Sequence, residues 1–401
     1  MPFWARITFF VVAMLALTFA TSLYVHRRVS RVYGLGRRAE RALAVLFVVG
    51  PVLLVTSRLA ERPLGDGAAE VMGALGFAIV LAATISSVLL APVDLIRWLG
   101  TKLRRAPATT IAQPAEPPSE VTLGRRELAY QLGVTVAVGA GFGASAYGTL
   151  FGRHDYAIEH VPIPIDGLSR RLDGYRIAQL SDIHFGIYVG EAERRAAVEL
   201  VRRARPDLIV LTGDLVDHDP RHASELGRLV RQLGELGTRD GVVVIPGNHD
   251  YYAGIDEVLG TVRDAGARVL RNAGRVIGDE GGAFALLGVD DVWAPRNGYG
   301  PGPDLARAKA MAPPDLPRIL LCHNPEAFPR FAGDVALQLS GHTHGGQVAL
   351  GINPAEIVLP YVRGLYEENG SRLYVNRGFG TAGPPARVGS PPEVTLVHLT
   401  S

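Results

Sequence analysis

Apolar residues fill the first 150 positions in four runs, 7–24, 42–56, 71–93 and 128–151. A helix needs about 20 apolar residues to cross the hydrocarbon core of a bilayer. The first, third and fourth runs meet or approach that length; the second is short and contains Pro51. Basic residues flank the runs unevenly. Arg27, Arg28, Arg31, Arg37, Arg38 and Arg41 separate the first from the second, and Arg97, Lys102, Arg104, Arg105, Arg125 and Arg126 separate the third from the fourth. The segment between the second and third holds only Arg58 and Arg62. Basic loops remain in the cytoplasm. All four runs are therefore expected to span, which puts the N-terminus and everything after residue 151 outside the cytoplasm. Gly139 and Gly143 form a GxxxG pair suited to close helix packing in lipid.

After residue 152 the pattern shortens. Strand-like runs at 175–180, 208–212, 242–245, 284–289, 319–322, 336–339, 373–376 and 394–399 alternate with amphipathic stretches at 191–204, 223–236 and 255–265. Such alternation predicts an α/β layered domain. The domains expected are residues 1–105 as three transmembrane helices with basic cytoplasmic loops, 106–127 as a Pro/Ala-rich cytoplasmic linker, 128–151 as a fourth transmembrane helix and 152–401 as a catalytic domain.

Composition sharpens this division. The chain is 48% hydrophobic and only 20% charged, over 401 residues. Residues 1–126 hold 15 Lys/Arg against 7 Asp/Glu, whereas the remainder holds 26 against 32. A mildly acidic C-terminal domain argues against a nucleic-acid partner. The single cysteine excludes a disulfide framework and a thiolate metal site.

The candidate chemistry lies in five polar motifs, each directly after a strand-like run. They are Asp182-Ile183-His184, Gly213-Asp214-Leu215-Val216-Asp217, Gly247-Asn248-His249-Asp250, His323, and Gly341-His342-Thr343-His344. In open α/β sheets, ligands bind at the carboxyl ends of the strands. Five of the 11 histidines fall in these motifs. Imidazole and carboxylate donors without thiolate suit divalent or trivalent Mn, Fe or Zn. In an extended loop alternate residues share a face, so Asp182 with His184, and His342 with His344, are each expected to chelate. Glycines before Asp214, Asn248 and His342 permit close backbone approach.

The ordered series of motifs resembles the calcineurin-like metallophosphoesterases over roughly residues 170–401, and looks most like their membrane-anchored bacterial, phosphodiesterase-like branch. The resemblance implies a two-sheet β-sandwich flanked by helices, with a dinuclear metal site at its edge. Asp182, His184 and His344 would bind one ion, Asn248, His323 and His342 the other, and Asp214 would bridge them. Two ions about 3.5–4 Å apart can clamp a phosphoryl group and ionise a bridging water for in-line attack. His249 would assist the leaving group, with Asp250 orienting it. Asp217, Tyr251 and Arg377 are candidates for supporting or substrate contacts.

The activity expected is hydrolysis of a phosphodiester or pyrophosphate linkage. The alternatives are a phosphomonoesterase or nucleotidase on the same scaffold, and a membrane-anchored protein that binds without catalysis. The partners expected are the lipid bilayer and a phosphoester substrate, possibly lipid-linked or envelope-derived. The location expected is the plasma (inner) membrane, with the catalytic domain on its extracytoplasmic side.

Overall fold

The computed structural model describes residues 3–102, 124–295, 298–383 and 385–401. It divides into two compact units, Met1–Thr149 and Leu150–Ser401.

The first unit is helical. Its elements are α1 (Phe3–Tyr33), α2 (Arg37–Leu64), α3 (Asp66–Lys102) and α4 (Arg125–Leu150). Among the described residues, three stretches are long and apolar enough to cross a membrane: Arg37–Leu64, Asp66–Gly100 and Arg125–His154. The first expected span lies within α1, where the side chains of residues 3–11 are outside the description. Pro51 sits inside α2 without ending it. The expected linker lies outside the described residues up to 123. Its last residues, Arg125 to Glu127, belong to α4 instead.

Small residues set the helix spacing. A Cβ on Gly76 of α3 would meet the Leu54 backbone nitrogen at 2.4 Å, so only glycine lets α2 lie this close. The GxxxG expectation is corrected in the same way. Gly139 and Gly143 face nothing within 4 Å among the described residues, whereas a Cβ on Gly141 would meet Ser86 Oγ at 2.2 Å. The α3–α4 contact therefore uses the glycine between the pair. A polar clamp also joins three helices: Asp94 of α3 accepts from Arg28 and Tyr24 of α1 and, at 2.9 Å, from Tyr130 of α4. Pairing of this kind compensates polar groups at apolar helix contacts.

Among the described residues the second unit holds twelve strands: β1 (Ala157–Pro164), β2 (Arg176–Leu180), β3 (Leu208–Thr212), β4 (Val242–Ile245), β5 (Arg268–Val269), β6 (Ala273–Asp279), β7 (Gly282–Gly288), β8 (Arg318–Leu321), β9 (Leu337–Ser340), β10 (Gly364–Glu368), β11 (Ser371–Val375) and β12 (Glu393–Thr400). They form two six-stranded sheets, ordered β1-β12-β2-β3-β4-β5 and β10-β11-β9-β8-β7-β6. Strands β2, β3 and β4 run parallel in the first sheet, as do β7, β8, β9 and β11 in the second. Four strands had no clear sequence signal: β1, β5, β6 and β10.

Continuous apolar runs explain the central strands. Leu208, Ile209, Val210 and Leu211 are all fully buried, as expected for parallel strands covered on both faces. One apolar cluster takes residues from both sheets, including Ile177, Val210 and Ile245 from the first and Leu286, Leu321 and Leu339 from the second. Amphipathic helices pack on the first sheet, α5 (Glu191–Ala204) against β12 and α6 (Ala223–Gly234) against β4, with α7 (Asn248–Tyr252) and α8 (Ile255–Asp264) following β4. These helices bury their apolar stripes, such as Leu226, Leu229, Val230 and Leu233 of α6.

Candidate metal centre

Parallel strands deliver their following loops to one edge of a sheet. Asp182 and His184 follow β2, Asp214 and Asp217 follow β3, and Asn248, His249 and Asp250 open α7 after β4. His323 follows β8, and His342 and His344 follow β9. These loops converge into three overlapping sets that could hold a metal ion: Asp182, His184 and His344; Asp214, His323 and His342; and His184, Asp214 and His249. In each set the ligand atoms lie within 4.8 Å of one another.

Asp214 joins the sets. Its Oδ2 lies 3.2 Å from His323 Nε2 and 3.6 Å from His184 Nε2. His184 Nε2 is 3.1 Å from His344 Nε2, which is 3.3 Å from Asp182 Oδ1. His342 Nδ1 is 3.2 Å from His323 Nε2. His323 Nδ1 lies 2.8 Å from the Thr212 carbonyl. Donation there fixes the tautomer and leaves Nε2 as the donor atom. Asn248 is 4% exposed, and its Oδ1 is buried without a hydrogen-bond partner. A buried amide oxygen left unsatisfied costs free energy; a cation beside it would compensate. The nitrogen and oxygen donors, with no sulfur, fit borderline metals.

The backbone is strained where it carries these side chains. Asp182, His184, Asp214, His342 and His344 all have φ between 52° and 73°, five of the nine non-glycine residues with positive φ in the described chain. Left-handed backbone costs about 1–3 kcal/mol per non-glycine residue and concentrates at functional sites. This revises the extended-loop expectation: both members of each Asp/His or His/His pair reach the site through left-handed turns. The glycine expectation holds. A Cβ on Gly247 would meet the Asp214 backbone nitrogen at 2.3 Å, and one on Gly341 would meet Asp182 Oδ2 at 2.2 Å.

Burial and mutual charge shift the titrating groups. Burial opposes protonation of His323, but the Asp214 carboxylate and its hydrogen bond hold it well above the usual imidazole range. Burial also opposes ionisation of Asp214, yet the charges of His323 and His249 hold it well below the usual carboxylate range. Burial and then the His323 charge push His342 down to about 3. Burial, then His184 and Arg387, hold His344 low. Burial raises Asp182. Burial lowers His249, but Asp214 and Asp217 outweigh it and bring the imidazole up to about 9.

The supporting residues divide the work around His249, and one of them differs from expectation. Asp250 does not meet the His249 ring. Its carboxylate accepts the Leu215, Val216 and Gly247 N–H groups at 2.8, 3.2 and 2.8 Å, so it braces the loops. The contact with His249 belongs to Asp217: His249 Nδ1 lies 2.8 Å from the Asp217 carbonyl and 3.3 Å from its Oδ1. Tyr251 is buried and donates to Asp290, whereas the half-exposed ring of Tyr252 meets His249 edge-on at 5.3 Å. Arg377 is committed to Glu159 at 3.0 Å and to Glu393. No phosphate contact is needed to explain it.

Sequence reading missed Asp290, Asp291 and Trp293. They follow β7 at the same edge, so the rule of a polar residue after a strand applied to them as well. Trp293 packs edge-on against His342 at 5.0 Å. Asp291 is 2% exposed, accepts the Trp293 N–H at 2.8 Å, and is pushed by burial up to about 6. Arg387 also supports this edge. Its fully buried guanidinium donates to the carbonyls of Gly380 and Arg377 at 2.6 and 2.8 Å, tying together the loops behind His344.

Residues 175–346 match the family model described as calcineurin-like phosphoesterase. The chain is 35% identical to the Bos taurus transmembrane protein with metallophosphoesterase domain over 268 residues, 64% of this chain and 60% of that one. It thus spans about 60% of the length of this transmembrane relative. It is 34% identical to an uncharacterized metallophosphoesterase of Aquifex aeolicus over 226 residues, 56% of this chain and 84% of that one. It is 31% identical to the uncharacterized metallophosphoesterase YkuE of Bacillus subtilis, covering 57% of this chain and 80% of that one. With that model matched and most of the length of two such relatives covered, the chain belongs to the calcineurin-like metallophosphoesterase family.

Proposed function

We propose that this chain is a membrane-anchored, metal-dependent phosphoesterase that hydrolyses a phosphodiester or pyrophosphate linkage. The observation that carries the reading is Asp214, whose one carboxylate oxygen lies within 3.2–3.6 Å of imidazoles from both ligand groups. Asp182, His184 and His344 would hold one ion, Asn248, His323 and His342 the other, with Asp214 between them. Bound there, divalent ions supply Lewis-acid polarisation of phosphoryl oxygens and lower the pKa of water.

The chain's own residues do the rest. Asp217 takes the His249 Nδ1 proton side, which leaves Nε2 to hold the proton delivered to the leaving oxygen. Tyr252 limits the swing of that ring. Asp250 and Arg387 fix the loops, so the donors are held before substrate binds.

The same reading takes all four N-terminal helices as spans ahead of a two-sheet sandwich. The catalytic unit faces the extracytoplasmic side of the plasma membrane, a side supported by the arginine distribution. A lipid-linked or envelope phosphoester is the substrate class this anchoring favours.

The test uses the full-length chain in detergent with added Mn²⁺. Turnover of an aryl phosphodiester that is lost in Asp214→Asn supports the reading. Preference for the aryl monoester would move the assignment to phosphomonoesterase. Metal-independent turnover would refute it.

A further inference from the structure

In the catalytic unit, large apolar side chains are buried almost everywhere. Among the described residues after 152, three exceptions stand apart: Ile357, Val358 and Ile352 are 80, 79 and 72% exposed, and no other exceeds 51%. All three, with the 45% exposed Leu350, fall within residues 350–358. Single exposed aliphatics are ordinary, but a concentration of them marks an interaction surface.

This segment is built to hold that shape. Asn353 is 4% exposed and donates its Nδ2 to the Gly345 carbonyl at 3.0 Å. Its Oδ1 accepts the Ala355 N–H at 3.2 Å, starting the single helical turn Ala355–Val358. Ala349 N–H donates to the Val388 carbonyl at 2.7 Å. The aliphatic residues are thus pinned to the turn that carries His344. Nearby charge is paired, with Arg363 lying 3.6 Å from Glu356.

We propose that residues 350–358 seat in the surface of a lipid bilayer. Four aliphatic side chains offer at most a few hundred Å², well short of the ~800 Å² per partner that a specific protein interface buries. A second copy of the chain would therefore be poorly supported. Insertion into a bilayer needs no matching shape and scales with the apolar area buried. The chain also carries three stretches able to cross a membrane. Tethering of this kind makes even weak insertion effective, because bilayer and segment share one molecule. Seated this way, the turn bearing His344 would be held at the lipid surface. The proposal does not depend on hydrolytic activity.

The experiment places an environment-sensitive fluorophore on Ile357→Cys in the full-length chain, reconstituted in phosphatidylglycerol–phosphatidylethanolamine vesicles. The native Cys322 is 1% exposed and stays unlabelled. Exposed polar positions Arg195→Cys and Glu280→Cys serve as controls. Lipid bearing an acyl-chain quencher is expected to reduce emission at position 357 at least twofold and to leave both controls unchanged. Adding Ile352→Glu and Val358→Glu to the labelled chain should restore emission, with thermal unfolding unchanged. Equal quenching at all three positions, or none at 357, would overturn the proposal. So would shielding at 357 from aqueous iodide that grows with protein density but shows no lipid quenching, since that would identify a second copy as the occupant.

Discussion

The two units follow one burial rule in opposite ways. In the second unit most aliphatic residues of the sheets are buried, many of them in one cluster between the two sheets. In the helical unit large aliphatics remain outside the packed interior: Leu59 is 74% and Ile96 71% exposed. Water penalises such exposure and hydrocarbon does not. The contrast agrees with the three stretches of the helical unit that are long and apolar enough to cross a membrane. Both units also use glycine for close approach, but for different ends. Gly76 seats one helix backbone against another, whereas Gly341 seats a backbone against the Asp182 carboxylate.

The largest expected effect is at Asp214. Asp214→Asn should lower hydrolysis by about 10³-fold or more, the scale of losing a central electrostatic group. Unfolding temperature should change far less, and paired assays of turnover and thermal unfolding would separate the two effects.

Asp217 and Asp250 come next and should behave differently despite sitting in similar motifs. Asp217→Asn is expected to reduce kcat by about 10–100-fold, as for residues that orient a reacting group. Asp250→Ala should instead destabilise the fold by about 2–3 kcal/mol, because three N–H groups lose their acceptor. Denaturant unfolding of both variants would decide. If Asp250→Ala unfolds like the parent and loses only kcat, the assignment of roles is reversed.

In the helical unit, Gly141→Leu should weaken the packing of α3 on α4 by about 1–3 kcal/mol. Gly139→Leu and Gly143→Leu should do so much less. Heat-induced loss of helical circular dichroism in detergent would rank them. The reverse ranking would restore the GxxxG reading.

The smallest effect is expected at Arg377. With its guanidinium committed to Glu159 and Glu393, Arg377→Met should leave KM within about twofold, and any cost should appear as stability. A tenfold rise in KM would place the residue on the substrate.

The strands carrying the ligands were legible because parallel, doubly covered strands read as short apolar runs, such as Leu208–Thr212. The ligands were legible because each follows such a run. Edge strands β1 and β10 alternate exposure and carry Glu, His and Pro, so their signal was diluted. Supporting roles were the hard part. Asp217 and Asp250 are both carboxylates in a Gly-containing motif, and only three-dimensional closure decides which meets His249. Tyr251 and Tyr252 pose the same problem, since a one-residue step around a helix separates core from cleft. The left-handed turns at Asp182 and His344 were not legible, because Asp and His favour that conformation more than most residues yet adopt it in only a small minority of positions.

The central claim is that Asp214 joins two metal sites, and counting metal tests it most directly. Full-length protein, stripped by chelator and reloaded with Mn²⁺, should hold two ions per folded chain by elemental analysis, with clearly fewer in Asp214→Asn. A folded parent chain that retains none, or a variant that retains as many as the parent, would contradict the account.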